Sequence, residues 1–387
     1  MIARSRRSAA LAVALALVVP GLAAAAAAGH AVAGPACGRW PEWERFKDNF
    51  LDSGGRVIDP SSAGRHSTSE GQSYGLFFSL VANDRDSFDR ILRWTEDNLA
   101  GGDLTARLPA WQWGKRDDGT WGVMDENAAA DADLWIAYVL GEAGRLWNSA
   151  PHAALGRVLA ARILREEVAD LPGLGPTLLS GPRGFRPGGA DARLNPSYMP
   201  IQVLRRLALL YPQQPWSKLV SSAMAVTTGA APRGFVPDWV MYKSGHFEPD
   251  TDSRALGNWN AIRSYLWAGT LADGEPLKAV LLRTFVPMTR HLVARGTPPL
   301  DIDTRSGAID GVGPPGFSAA LLPLLASAHL DDASRLQRDR IEAKSPFERK
   351  DNYYDQALTL FGLGWADGRY RYDRDGMLVT RWTCGKK

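Results

Sequence analysis

The sequence predicts an all-α protein built as one domain. Three observations carry this expectation. Apolar residues recur at helical spacing through most of the 387 residues, loops rich in Gly, Pro and Asp separate the periodic stretches, and strand-like stretches are short and few. Helices are expected over about 41–52, 70–83, 87–99, 131–147, 152–168, 197–212, 215–229, 257–270, 275–295, 316–328, 331–342 and 351–366. Their starts carry local signals: Ser87 before Phe88, Asp125 and Asn127 ahead of the 131–147 helix, and Pro215 at a first helical position. Short strands are expected at Val57-Ile58, Thr120–Val123, Phe235–Val240 and Arg369–Val379. About a dozen helices with no linker and no internal repeat read as six helical hairpins closed into a double ring, a single (α/α)6 barrel over 37–387. Such closure makes the first and last helices neighbours.

Residues 1–36 read as a cleaved signal peptide. Arg4, Arg6 and Arg7 precede an apolar run from Ala9 to Ala28, followed by small residues, with cleavage expected after Ala33 or Ala36. An uncleaved anchor is the alternative, although Pro20 and Gly21 interrupt the run. No later segment is long and apolar enough to span a bilayer, so the mature chain is expected to be periplasmic or secreted. Two cysteines, Cys37 and Cys384, stand at the two ends of that chain. In an exported protein they suggest a disulfide, two free thiols being the alternative. With 45% hydrophobic and 22% charged residues, composition is that of a globular protein. The net charge of +3 is spread along the chain, which argues against nucleic-acid binding. Fourteen tryptophans suit either a large core or a surface that stacks sugars.

The segment Ser67-Thr68-Ser69-Glu70-Gly71-Gln72-Ser73-Tyr74-Gly75 admits three readings. Gly71–Gly75 spells the G-x-S-x-G of a serine nucleophile elbow, but the preceding residues are polar and loop-like where a buried strand is required. Ser67–Glu70 spells a capping box, in which the glutamate satisfies a backbone N–H. Alternatively, apolar neighbours desolvate Glu70 and raise its pKa, leaving a protonated acid that can serve a leaving oxygen. Further on, Asp131 and Asp133 open another helix two residues apart, so they point to nearly opposite sides. One can face a cleft while the other caps the helix or faces solvent. No His or Cys joins this acidic cluster, so no metal site and no cofactor are expected. Trp111 and Trp113 in Leu108–Gly114, and Tyr198 in Asn195-Pro196-Ser197-Tyr198, are candidate stacking surfaces.

Taken together, T-S-E-G-Q-S-Y-G, L-P-A-W-Q-W-G, A-A-D-A-D-L-W-I-A-Y, N-P-S-Y-M-P, P-D-W-V and Y-Y-D-Q-A-L-T-L-F-G resemble glycoside hydrolase family 8. The resemblance runs from about Cys37 to the C-terminus and is strongest to the periplasmic branch that accompanies bacterial cellulose-synthesis operons. It implies a metal-free, inverting endo-β-1,4-glucanase acting on nascent or loose cellulose, in functional association with a cellulose synthase complex. It also implies Glu70 as general acid, Asp131 as the residue holding the sugar at the cleavage point, and Trp111, Trp113, Tyr198, Arg263 and Tyr354 along the glucan cleft. Two departures stand out. Ala130 replaces the Ser or Thr of the family's A-[ST]-D-[AG]-D, and Gly257-Asn258-Trp259-Asn260-Ala261-Ile262-Arg263 carries Asn260 where S-Y-D-A-I-R has the general-base Asp. An amide cannot take the proton of an attacking water. Asp252, Asp250 and Asp355 are therefore candidate substitute bases, with Glu248 nearby. The alternative is a glucan-binding protein that has lost turnover.

Overall fold

A computed structural model of the chain describes residues 38–62 and 64–382. The signal-peptide reading of 1–36, and both Cys37 and Cys384, lie outside those residues. Thirteen α-helices occur among them: α1 (Pro41–Phe50), α2 (Ser69–Ala82), α3 (Arg85–Leu99), α4 (Ala130–Leu146), α5 (Ala150–Glu166), α6 (Ile201–Leu210), α7 (Trp216–Gly229), α8 (Ala261–Thr270), α9 (Pro276–Thr284), α10 (Val286–Arg295), α11 (Pro315–Ser327), α12 (Asp331–Lys344) and α13 (Tyr353–Ala366).

Helix composition sorts them into two rings. The inner ring is α2, α4, α6, α8, α11 and α13, each packed on the next. These helices are apolar on nearly every side, as burial on all faces requires; α8 buries every residue from Ala261 to Thr270. Outer helices carry a single apolar stripe instead. In α3, Phe88, Ile91, Thr95 and Leu99 repeat at three- and four-residue spacing and face α2. The inner ring closes through Phe361 of α13, whose ring centroid lies 4.9 Å from that of Tyr74 and 4.7 Å from that of Phe78 on α2. The first helix α1 packs on the last, α13, through Phe46 and Phe50 against Tyr353. Close helix approach depends on two glycines. A Cβ at Gly269 would overlap the Leu324 backbone of α11, and one at Gly362 would overlap the Ala319 carbonyl. The (α/α)6 barrel is thus as expected.

Boundaries differ from expectation where proline intervenes. The 275–295 helix is two, α9 and α10, broken at Phe285 (φ −91°, ψ 12°) just before Pro287, which has no N–H to donate. The 197–212 helix begins as a 3₁₀ turn at Pro196–Tyr198, and Pro200 delays α6 to Ile201. Val57 forms only an isolated bridge with Leu51, and residues 235–239 form no strand.

Thirteen short strands occur in the loops, in five small antiparallel sheets. They are β1 (Ser67–Thr68) with β2 (Gln112–Lys115) and β3 (Trp121–Asp125); β4 (Val168–Leu171) with β5 (Gly175–Leu178); β6 (Ala192–Leu194) with β7 (Val240–Lys243) and β8 (His246–Pro249); β9 (Leu256–Gly257) with β10 (Pro299–Asp303) and β11 (Ala308–Val312); and β12 (Tyr370–Tyr372) with β13 (Leu378–Thr380). The sequence showed few of these pairings, because two- to five-residue strands leave too short a period to read. Among the described residues no parallel sheet underlies Ser73, whose hydroxyl donates to the Glu70 carbonyl at 2.7 Å inside α2. The nucleophile-elbow spelling is a coincidence.

Candidate active site

Inner helices bring their N-terminal ends together, and polar side chains gather there. Glu70 and Asp131 sit in the first turns of α2 and α4, Tyr198 ends the 3₁₀ turn before α6, Asn260 precedes α8, and Tyr354 begins α13. The partial positive charge of helix N-termini favours carboxylates at such a place. Arg263, one turn into α8 and 1% exposed, ties the group together. Its Nη1 donates to Glu70 Oε2, to Tyr74 Oη at 2.8 Å and to Asp131 Oδ2 at 3.0 Å, while Nη2 donates to Asn260 Oδ1 at 2.7 Å. The guanidinium also lies 5.4 Å from the Tyr198 ring centroid, in cation–π geometry.

Glu70 does not cap its own helix. Thr68 is the N-cap, with Oγ1 accepting the Gly71 N–H at 3.0 Å, and Ser67 bonds instead to Val57 and Arg56. The glutamate is thereby freed to point at Arg263. Its surroundings differ from the apolar pocket expected from sequence, since its partner is a guanidinium. Asp131 lies deeper on the same guanidinium. Burial pushes its pKa up, Arg263 pulls it down and Glu70 pushes it up again, with the result at about 8. Side-chain exposure separates the two carboxyls: 22% for Glu70 against 3% for Asp131. Glu70 is the accessible carboxyl of the two and Asp131 the buried one.

Asp133 departs from expectation, neither capping α4 nor facing solvent. It is buried, with Glu167, the residue that follows the last turn of α5, beside it. Trp111 is laid against both acid-bearing helices: its carbonyl accepts the Ser69 N–H at 3.0 Å, and its N–H donates to the Asn127 carbonyl at 2.7 Å. Its side chain also bonds Asp125, helping to hold that carboxyl low. Trp113 is drawn into an aromatic cluster. Trp121 stacks on it at 5.4 Å, Trp94 meets it edge-on at 5.3 Å, and the Arg56 guanidinium lies 4.3 Å from its ring. Tyr354 Oη donates to the Trp259 carbonyl at 2.8 Å, fixing the half-exposed Trp259 beside Asn260.

None of the three substitute-base candidates bonds to this cluster. Asp250 is buried and gripped by Arg193 at 3.1 and 2.9 Å and by the Ser253 N–H, which together hold its pKa low against burial. Asp252 is exposed. Asp355 accepts from the Gly316 N–H and from Asn352, and burial pushes it up to about 6. A carboxylate that the sequence did not single out lies nearer the chemistry. Asp238, from P-D-W-V, takes the N–H groups of Asn258, Asn260 and Ala261 on Oδ1 at 2.9, 3.1 and 2.8 Å, capping α8 in place of Asn260. Burial raises its pKa, and these N–H bonds oppose the rise. Its signal was the motif itself, whose aspartate has no local helix to cap and so must serve a distant one. Beside it Trp239 stacks on Phe185 at 5.7 Å and carries the Arg193 guanidinium at 4.3 Å.

Comparison with known proteins agrees with this geometry. The family model "Glycosyl hydrolases family 8" matches residues 15–368. An endoglucanase of Xanthomonas axonopodis pv. citri is 45% identical over 363 residues, covering 94% of each chain. An endoglucanase of Escherichia coli K12 is 44% identical over 344 residues, 89% of this chain and 91% of that one. Among solved structures, the endo-1,4-D-glucanase of Vibrio fischeri superposes with a TM-score of 0.84 at 44% identity, covering 89% of this chain and 99% of that one. The endo-β-1,4-glucanase CMCax of Acetobacter xylinum superposes at 0.70 with 26% identity, covering 84% and 96%. The chain belongs to glycoside hydrolase family 8.

Proposed function

We propose that this glycoside hydrolase is an exported endo-β-1,4-glucanase that cleaves with inversion. The observation that carries the reading is the convergence of Glu70 and Asp131 on one nitrogen of Arg263 at the N-terminal ends of the inner helices. Glu70, the more exposed carboxyl, protonates the departing glycosidic oxygen. Asp131, bonded to the same Arg263 nitrogen and pushed up to about 8 by burial, keeps a proton close by for that step. Arg263 fixes both carboxyls, and its charge offsets the negative charge left when the proton departs. Trp111, Tyr198 and Tyr354 supply the aromatic surfaces along which a glucan lies.

Water attack is the weak point of the site. Inversion needs a base on the opposite face of the sugar, with the two carboxyls roughly 6.5–9.5 Å apart. The family resemblance assigns that position to Asn260, whose carbonyl oxygen is engaged by Arg263. Either Asp238, which holds the Asn260 backbone, or one of Asp250, Asp252 and Asp355 takes the water's proton, or turnover is slow. The second reading, a glucan-binding protein of reduced activity, draws on this same observation. Reducing-end release from carboxymethyl cellulose separates them. Wild type should release ends, Glu70→Gln should not, and Asn260→Asp should be faster than wild type. Tight binding of a cello-oligosaccharide with no ends released by wild type would select the second reading.

Export rests on the basic and apolar N-terminal segment, and functional association with a cellulose synthase rests on the resemblance to the operon branch. Fractionation of cells carrying the full chain tests the first, and cellulose output after deletion tests the second. A Cys37–Cys384 disulfide is supported by the ends that the structure describes. Arg369 donates to the Gly38 carbonyl at 3.3 Å, and Trp382 Nε1 to the Val81 carbonyl at 3.0 Å. Peptide masses under non-reducing conditions decide it.

A further inference from the structure

Behind Asp131 lies a second pair of carboxyls that the proposed mechanism does not use. Asp133 is 1% and Glu167 0% exposed. All four of their oxygens are buried, and none receives an N–H or O–H from another group among the described residues. The two side chains lie within reach of each other. Two carboxylates have no hydrogen to share, so a bond between them needs at least one proton.

Helix geometry says which residue owns that proton. Asp133 stands in the first turn of α4, where the helix dipole favours a negative charge, whereas Glu167 ends α5, where the dipole opposes one. The charged groups facing the pair add to the effect. Asp131 on α4 and Glu166 on α5 are both acidic. The basic side chains at this end of α5, Arg162 and Arg165, are spent on Glu166 at 2.6 and 2.8 Å. Of the carboxyls among the described residues, Arg263 reaches only Asp131 and Glu70. Asp133 and Glu167 thus have no guanidinium of their own, and a proton makes up the difference.

The same place fixes the start of α4. The Ala130 N–H donates to the Ser180 carbonyl at 3.2 Å, and the Leu179 N–H to the Glu167 carbonyl at 2.8 Å. The segment after β5 is therefore pinned to both helix ends, and the carboxyl pair bridges them from inside. We propose that protonated Glu167 donates a hydrogen bond to the Asp133 carboxylate, and that this buried link positions the first turn of α4 and with it Asp131. Asp133 and Glu167 are positioning residues; neither touches the sugar. The inference rests on the reading of Asp131 as an active-site residue, but the proton itself can be tested apart from hydrolysis.

The test uses the purified full chain with two readouts. Infrared difference spectra are taken against pH in an Asp131→Asn background, which removes the neighbouring carboxyl that also holds a proton. A carboxylic C=O band should persist well above the ordinary carboxyl range and vanish when Glu167→Gln is added. Hydrolysis of carboxymethyl cellulose is then measured with Asp131 intact. Glu167→Gln keeps a hydrogen between the side chains, so it should hold the acid side of the profile and carry the alkaline limb to higher pH. Glu167→Ala, assayed below its melting temperature, should lower kcat by roughly tenfold or more, since small misplacements of reacting groups cost that much, with a smaller change in KM. A band indifferent to Glu167→Gln overturns the shared proton. Identical pH profiles and kcat for wild type, Glu167→Gln and Glu167→Ala overturn the positioning role. If Glu70→Gln also leaves hydrolysis unchanged, the proposed function fails, while the infrared result still decides the pair.

Discussion

The two ends of α4 each bury carboxyl groups, and they treat them in opposite ways. Near the C-terminal end, Glu142 is wholly buried and fully compensated. Arg206 Nε donates to it at 2.6 Å, Arg145 Nη2 at 2.5 Å and the Leu378 N–H at 2.9 Å, which fastens the C-terminal hairpin β12–β13 to the barrel. At the N-terminal end, Asp131 and Glu70 share one buried guanidinium, while the oxygens of Asp133 and Glu167 receive none among the described residues. Matched charge gives the first end rigidity. Unmatched charge gives the second end protons, and transferable protons are what acid catalysis of glycoside cleavage consumes.

Four experiments would break or sharpen that contrast. The largest effect is expected for Glu70→Gln, whose rate of reducing-end release should fall by about 10²–10⁴, the usual worth of an acid in place, with little change in melting temperature. Glu142→Gln should behave conversely. It strands Arg206 beside an amide, and breaking a buried ion pair costs about 3–5 kcal/mol, visible as a lower denaturant midpoint with the rate per folded molecule preserved.

Next comes pH. Asp131 titrates at about 8 in the folded chain, above the ~4 of a free aspartate. The folded state therefore keeps a proton that the unfolded chain has already released. This group's contribution to stability is present below about pH 4, declines as pH rises toward 8 and is lost beyond it. Asp131→Asn should flatten the decline in urea midpoints measured across that range. Asp355, at about 6, gives the smallest effect. Asp355→Asn should flatten the curve only between roughly 4 and 6.

Much of this contrast could be read before any coordinates. Inner helices announce themselves because burial on all sides leaves no polar stripe, and Glu70 and Asp131 are conspicuous as charges in such helices. Asn260 and Arg263 stand on a short segment whose spelling is recognisable. What could not be read depends on distant partners. Nothing near Glu70 in the chain reveals that a residue 193 positions later will meet its carboxyl. Asp238 caps a helix more than 20 residues away, and Glu167 resembles a surface residue at a helix end until the fold sets Asp133 against it. Trp113 illustrates the opposite error: an indole beside another indole reads as a sugar platform, yet its faces are occupied by Trp121 and Arg56.

The most direct test of the central claim is the initial rate of reducing-end release per folded molecule, measured side by side for Glu70→Gln and Glu142→Gln. A collapse in the first with the second unchanged is predicted. Equal rates in both, or a loss confined to Glu142→Gln, would contradict the assignment of the chemistry to the N-terminal ends of the inner helices.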